Sequence, residues 1–131
     1  MDEDASAIVE HVGPHDFDAT LGRVTEAIGR AGLTLFANID HAAGARALGM
    51  LMPPTTVLIY GHAKGGTPLM LASPSLALDL PLRVLVRERD DGKTVIAFHP
   101  AGAVLRRAGV PEEMVARLDP AQTLLIEALK P

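Results

Sequence analysis

LRVLVRERDDGKTVIAFH, residues 82–99, is the stretch that decides the fold. Two runs rich in Val, Leu, Ile and Phe flank Asp91-Gly92, and an Asp-Gly pair between β-prone runs predicts a two-residue hairpin and hence an antiparallel sheet. With Asp91 and Gly92 as the loop, Asp90 pairs with Lys93, Glu88 with Val95, Val86 with Ala97, and Val84 with His99. His99 then shares a face with Val84 and Val86. The other face carries Leu85, Ile96 and Phe98 among Arg83, Arg87 and Arg89, which is too apolar in its middle for a plain solvated surface. A partner subunit or another part of the chain is expected to cover it.

Working outward, a β-prone run at residues 7–12 is closed by Gly13 and Pro14. Asp16 stands where a helix N-cap should, and Phe17, Leu21, Val24, Ile28 and Ala31 follow at spacings of one helical face until Gly32 ends it. Residues 33–40 read as a strand with Leu35, Ala37 and Ile39 on one side and Phe36 and Asn38 on the other. A short helix over 41–48 is expected next, capped by Asp40, filled with alanine and ended by Gly49, before Pro53 and Pro54 break the chain. Residues 55–61 form an apolar strand. The segment GHAKGGTPLM, residues 61–70, then reads as a glycine-rich loop leading to a helix capped by Thr67, with Pro68 in the first helical position. After the hairpin and Pro100 the chain reads as helices, the last over 121–129. The order β, α, β, β, then a hairpin, then helices, argues an α+β fold, an antiparallel sheet with helices on one face.

Length and composition bound the rest. A chain of 131 residues is one ordinary domain, residues 1–131, and at 48% hydrophobic but only 3% aromatic its core must be aliphatic. A net charge of −4, with no aromatic residues interleaved among basic ones, makes nucleic acid an unexpected partner. The absence of cysteine excludes disulfides, thiolate metal sites and thiol nucleophiles. The acidic N-terminus carries no signal-peptide pattern and no apolar run has membrane-spanning length, so no membrane association is expected and the cytoplasm is the default location. Ser6, Ser73 and Ser75 are the serines, and none lies in a nucleophile-elbow motif.

At this point IDHAAGARALGMLMPPTTVLIYGHAKGGTPLM, residues 39–70, and LDLPLRVLVRERDDGKTVIAF, residues 78–98, resemble the uncharacterised bacterial and archaeal family called domain of unknown function 302. The resemblance runs over about residues 16–110. It implies a two-layer α+β fold in the order β, α, four strands, α, here with extra C-terminal helices, similar in outline to that of the TATA-binding protein, and a homodimer; it implies no established activity. Fold similarity to a DNA binder is no evidence for DNA binding. The chain departs from the family pattern at His62 and Ala63, where Asn-Pro is common, and near Phe98 and His99, where Tyr-Asn is common.

The candidate chemistry gathers in two places. Lys64, Gly65, Gly66 and Thr67 lead into a helix start, where backbone N–H groups, the helix dipole and the lysine favour a carboxylate or phosphate. The order is not that of a P-loop, and the plain alternative is a tight turn with Thr67 as a cap. Asp40 and His41 offer an acid/base or ligand-orienting pair, although neighbours on a strand point to opposite faces and Asp40 also fits a helix cap. His41, His62 and His99 sit near strand ends, but nothing in their spacing marks a metal site, and no metal or cofactor is expected. Met50, Met52 and Met70 read as core or interface filler. The expectation is a homodimeric, non-catalytic domain that binds a small anionic ligand through Asp40, His41, His62, Lys64, Gly65, Gly66 and Thr67. An enzyme built on Asp40 and His41, and an interaction module without a ligand, are the alternatives.

Overall fold

The computed structural model describes residues 7–131; Ser6 and the acidic stretch before it lie outside the described residues. Five strands, β1 (Val9–Gly13), β2 (Thr34–Asp40), β3 (Thr55–Gly61), β4 (Leu82–Glu88) and β5 (Thr94–Phe98), form one antiparallel sheet in the order β1-β5-β4-β3-β2. Five α-helices join them: α1 (Phe17–Arg30), α2 (His41–Ala47), α3 (Ala63–Ala72), α4 (Ala101–Arg107) and α5 (Pro120–Ala128). Short 3-10 helices occupy Pro74–Leu78 and Glu112–Leu118. The α+β class and the helices against one face of the sheet are as the sequence predicts.

The main core lies between that face and helices α1 and α5. Val24 and Ile28 of α1 and Leu125 of α5 pack on Leu58, Tyr60, Val84, Val86 and Ile96, all of them at most 1% exposed. Helix α1 begins as expected, with the Asp16 carboxylate accepting the Ala19 N–H at 2.8 Å. It ends at Gly32, whose φ of 75° places it in the left-handed region that favours glycine. Gly13 has a different reason to be glycine: a Cβ there would meet Leu129 Cδ2 at 3.2 Å, so α5 lies close against the end of β1.

The hairpin is where the structure corrects the sequence reading. Val86 faces Ile96, Leu85 faces Ala97 and Arg87 faces Val95, a register one residue away from that of a two-residue loop. The Arg89 N–H donates to the Lys93 carbonyl at 2.7 Å, so the loop is Asp90, Asp91 and Gly92, with Gly92 at φ 83°. A three-residue loop ending in a left-handed glycine is the next commonest hairpin form after the two-residue one. The slip moves every β5 side chain to the opposite face. Ile96 and Phe98 therefore enter the core beside Val84 and Val86, leaving Arg83, Leu85 and Arg87 opposite. On that uncovered side an Arg87–Glu10 ion pair at 3.5 Å joins β4 to β1 across β5.

β2 departs in a similar way. A bulge between Leu35 and Ala37 leaves Leu35 opposite Tyr60 and Ala37 opposite Ile59, so the two do not share a face as simple alternation predicts. The extra residue, Phe36, is 55% exposed.

Two polar braces fasten the C-terminal segment. Tyr60, fully buried, donates its hydroxyl to the Ala121 carbonyl at 2.8 Å, and burial pushes its phenol pKa well above the usual value. The buried Gln122 amide accepts from the Ala101 N–H and donates to the His99 carbonyl, each at 2.8 Å, tying α5 to the junction of β5 and α4. Arg23 of α1 adds hydrogen bonds to the carbonyls of Ala128 and Lys130.

Two outcomes follow from these contacts. Gln122→Ala leaves the Ala101 N–H and the His99 carbonyl without their partner, and urea unfolding should show a loss of about 2–6 kcal/mol at roughly 1–3 kcal/mol per orphaned group. In the hairpin, Arg89 (2.6 Å) and the Lys93 N–H (3.0 Å) bind the Asp91 carboxylate and lower its pKa to about 2. The stabilisation from Asp91 is thus complete above the ordinary carboxylate range and lost as pH falls through about 2. Carboxyl NMR titration should find that midpoint, with Arg89→Ala moving it upward; a wild-type midpoint near 3.8 would contradict the geometry.

Candidate functional site

A cleft of about 740 Å3 opens at the junction of β3 and α3. Its position follows from the packing. Besides the main core, a second cluster of buried residues joins α3, α4 and the two 3-10 segments through Leu69, Leu76, Val104, Leu105, Val110 and Val115. Leu80 and Leu118 pack against both clusters, and both line the cleft, which runs along the seam between them.

One part of the wall is the segment His62 to Thr67, together with Met70. It is built differently from the expected loop. Helix α3 begins at Ala63, not after Thr67, so Lys64, Gly65, Gly66 and Thr67 are its first turns and Pro68 lies inside it. The cap is His62: its Nδ1 accepts the Lys64 N–H at 3.1 Å, and its carbonyl accepts from Gly65 and Gly66 at 3.0 and 2.9 Å. An accepting Nδ1 places the ring proton of the neutral imidazole on Nε2. Asparagine is a preferred N-cap and proline a preferred first helical residue, so His62-Ala63 occupies the place of the Asn-Pro pattern and keeps the capping function with a different side chain. Three of the amides at this helix start already have acceptors within the chain, so charge for an anion must come mainly from side chains.

Two side chains supply it. Lys64 and Arg117, the latter from the 3-10 segment before α5, both line the cleft, and among the described residues neither charged head has a partner. Among the described residues no carboxylate lines it. The rest of the wall is almost wholly apolar: Leu33, Phe36, Leu82 and Leu124 stand beside Leu80 and Leu118. Phe36 arrives there through the β2 bulge, which frees it from the alternation of its strand. Gly66 is buried against it, and a Cβ at that position would meet Leu80 Cδ1 at 3.5 Å and Met70 Cε at 3.7 Å, ordinary contact distances.

Of the residues expected to form the site, the structure brings together His62, Lys64, Gly65, Gly66 and Thr67 and leaves out Asp40 and His41, which do not line the cleft. Asp40 caps α2, its carboxylate accepting the Ala43 N–H at 2.9 Å, and His41 is the exposed first residue of that helix. His99 Nδ1 lies 3.0 Å from the Ala7 carbonyl at the sheet edge. Among the described residues no group of three or more His, Cys, Asp or Glu is placed to hold a metal ion. Phe36, Arg117, Leu118 and Leu124 are cleft residues that sequence reasoning missed. Arg117 lies more than fifty positions from Lys64, and no local pattern marks it.

Residues 9–130 match the family described as Domain of unknown function DUF302. The chain belongs to this family. Its fold is that of the uncharacterised DUF302 protein from Bacillus stearothermophilus, whose crystal structure superposes with a TM-score of 0.80 at 13% identity, covering 95% of this chain and 97% of that one. Among curated proteins, this DUF302 chain is 36% identical over 102 residues to proteins named Fluoride-specific ion channel FluC 1 from Brucella suis and Brucella abortus. The alignment takes in 78% of this chain but 40% and 38% of those proteins, so it spans about two fifths of their length.

The cap at the mouth of the cleft can be tested by substitution. His62→Asn restores a standard capping side chain and should leave stability within about 0.5 kcal/mol, whereas His62→Ala should cost about 1 kcal/mol in thermal or urea unfolding. Equal losses in the two variants would show that the imidazole contributes something other than the cap.

Proposed function

We propose that this DUF302 chain is a non-catalytic domain that binds a small molecule in the β3–α3 cleft, with an anionic group of the ligand beside Lys64. The observation that carries this reading is the combination of an apolar cavity of about 740 Å3 with two cations that, among the described residues, have no partner, and with no carboxylate among the described lining residues. Ligand sites are typically concave, mostly apolar and furnished with a few polar groups that fix orientation. The first turns of α3 add the favourable end of a helix dipole to the charge of Lys64.

An acid/base enzyme built on Asp40 and His41 is the weaker reading, because Asp40 is engaged as a cap and neither residue opens onto the cleft. The curated relatives are named as fluoride channels, but a pore needs spanning segments, and no helix among the described residues is long and apolar enough to cross a membrane. Binding in the cleft, not conduction, is therefore the function proposed for this stretch. Assembly as a homodimer through the uncovered face of the sheet belongs to the same proposal; Val57, Ile59 and Leu85 on that face are only partly buried in the single chain.

The test is thermal unfolding with a panel of anionic metabolites. A ligand at a hundred times its Kd stabilises the folded state by about 2.7 kcal/mol, which for a domain of this size is a shift of several degrees. Lys64→Ala should diminish or remove the shift. Wild-type protein that no member of the panel stabilises, or a Lys64→Ala variant that responds as strongly as wild type, would refute the proposal.

A further inference from the structure

We infer that the cleft takes a ligand with a single anionic head and an unbroken apolar body, of which a medium-chain aliphatic carboxylate is the simplest example. This rests on the cleft being the ligand site and names the class of molecule that fits it.

The argument begins with what the wall can satisfy. Among the described residues the polar side chains on it are those of His62, Lys64, Thr67 and Arg117, and Nδ1 of His62 is already committed to its own helix. Lys64 and Arg117 can bind a carboxylate by charge-assisted hydrogen bonds, and Arg117 has the planar fork that suits one. Beyond these groups the surface is leucine, phenylalanine, methionine, proline, alanine and glycine. Hydroxyls of a sugar or rings of a nucleobase buried there would lose water without gaining partners, which selects against sugar phosphates and nucleotides. An alkyl chain loses nothing of that kind.

Size and sign agree. The volume of about 740 Å3 falls in the range of roughly 300–1,000 Å3 typical of sites for whole ligands, far more than a bare inorganic anion requires. Both charges that the described residues place on the wall are positive, so an alkylamine of the same length meets repulsion where a carboxylate meets attraction. The cleft also lies on the seam between two aliphatic clusters, where Leu80 and Leu118 belong to both, so a chain inserted there extends existing packing.

The experiment is isothermal titration of the whole chain with hexanoate, octanoate and decanoate below their micellar concentrations, with decan-1-ol, decylamine and inorganic phosphate alongside. Affinity should rise about threefold to fourfold per added methylene, as burial of each one predicts. Decan-1-ol should bind about tenfold more weakly than decanoate, and decylamine more weakly still. Decanoate should shift the methyl NMR signals of Met70, Leu80, Leu118 and Leu124. Lys64→Met and Arg117→Met, which keep the apolar stems, should each weaken decanoate about threefold to tenfold with unchanged circular dichroism. If phosphate binds and Lys64→Met abolishes it, while decanoate does not bind or chain length has no effect, the ligand class is wrong and the anion site stands. Decylamine binding as well as decanoate, or shifts confined to residues outside the cleft, would also overturn the ligand class. If neither phosphate nor any alkanoate binds, the class falls; the wider reading of the site is then decided by the metabolite panel.

Discussion

The structure depends on one layer of aliphatic contact. A single sheet has two faces, and in this chain α1 and α5 cover only one of them, so the side chains between them carry most of the apolar burial. The helices differ in how they reach that layer. α1 is local to the strands around it, but α5 arrives from the far end of the chain and is fixed by polar groups: the Tyr60 hydroxyl, the Gln122 amide and the Arg23 guanidinium each take or give hydrogen bonds to the backbone of a distant segment. A hydroxyl or amide buried in such a layer is tolerable only because it is paired. The same pairing specifies which way the C-terminal helix lies, which aliphatic packing alone defines poorly.

The cleft is a by-product of a second, smaller cluster. Helices α3 and α4 and the 3-10 segments assemble around Leu69, Leu76 and Leu105, and this cluster meets the main core at Leu80 and Leu118 without merging with it. Where two convex clusters touch, a groove remains. Its apolar lining comes from residues of both clusters, with Leu80 and Leu118 shared between them, and its charges come from two segments far apart in the chain, Lys64 in α3 and Arg117 before α5.

How much of this the sequence discloses depends on the range of the interaction involved. The caps at Asp16 and Asp40, the helical stripe Val24–Ile28 and the hairpin are local, and their signals are readable in a few residues. The hairpin register is not, because Asp91-Gly92 suits either loop length. The Asp91 carboxylate binds the Lys93 N–H and the Arg89 side chain, and Gly92 takes a left-handed conformation, so the three-residue form wins by contacts invisible in the dipeptide itself. The start of α3 fails for another reason. Thr67-Pro68 has the look of a cap followed by a first helical residue, and two glycines before it disfavour helix by about 1 kcal/mol each. Burial of Gly66 and Leu69 in the structure, together with the His62 cap, overrides that preference. The bulge at Phe36 and the approach of Arg117 have no local signature, and with them goes one of the two charges of the cleft.

Helix α3 is weak in its own backbone. Pro68 has no N–H to offer the carbonyl of Lys64 one turn earlier, and Gly65 and Gly66 gain more backbone entropy on release than other residues would. The hydrogen-bond ladder is thus thinnest along the part of the helix that forms the wall. The shape of that wall therefore rests on the burial of Gly66 and Leu69 and on the His62 cap more than on the helix's own ladder, so a substitution in the packing beneath α3 reshapes the cleft without touching its lining.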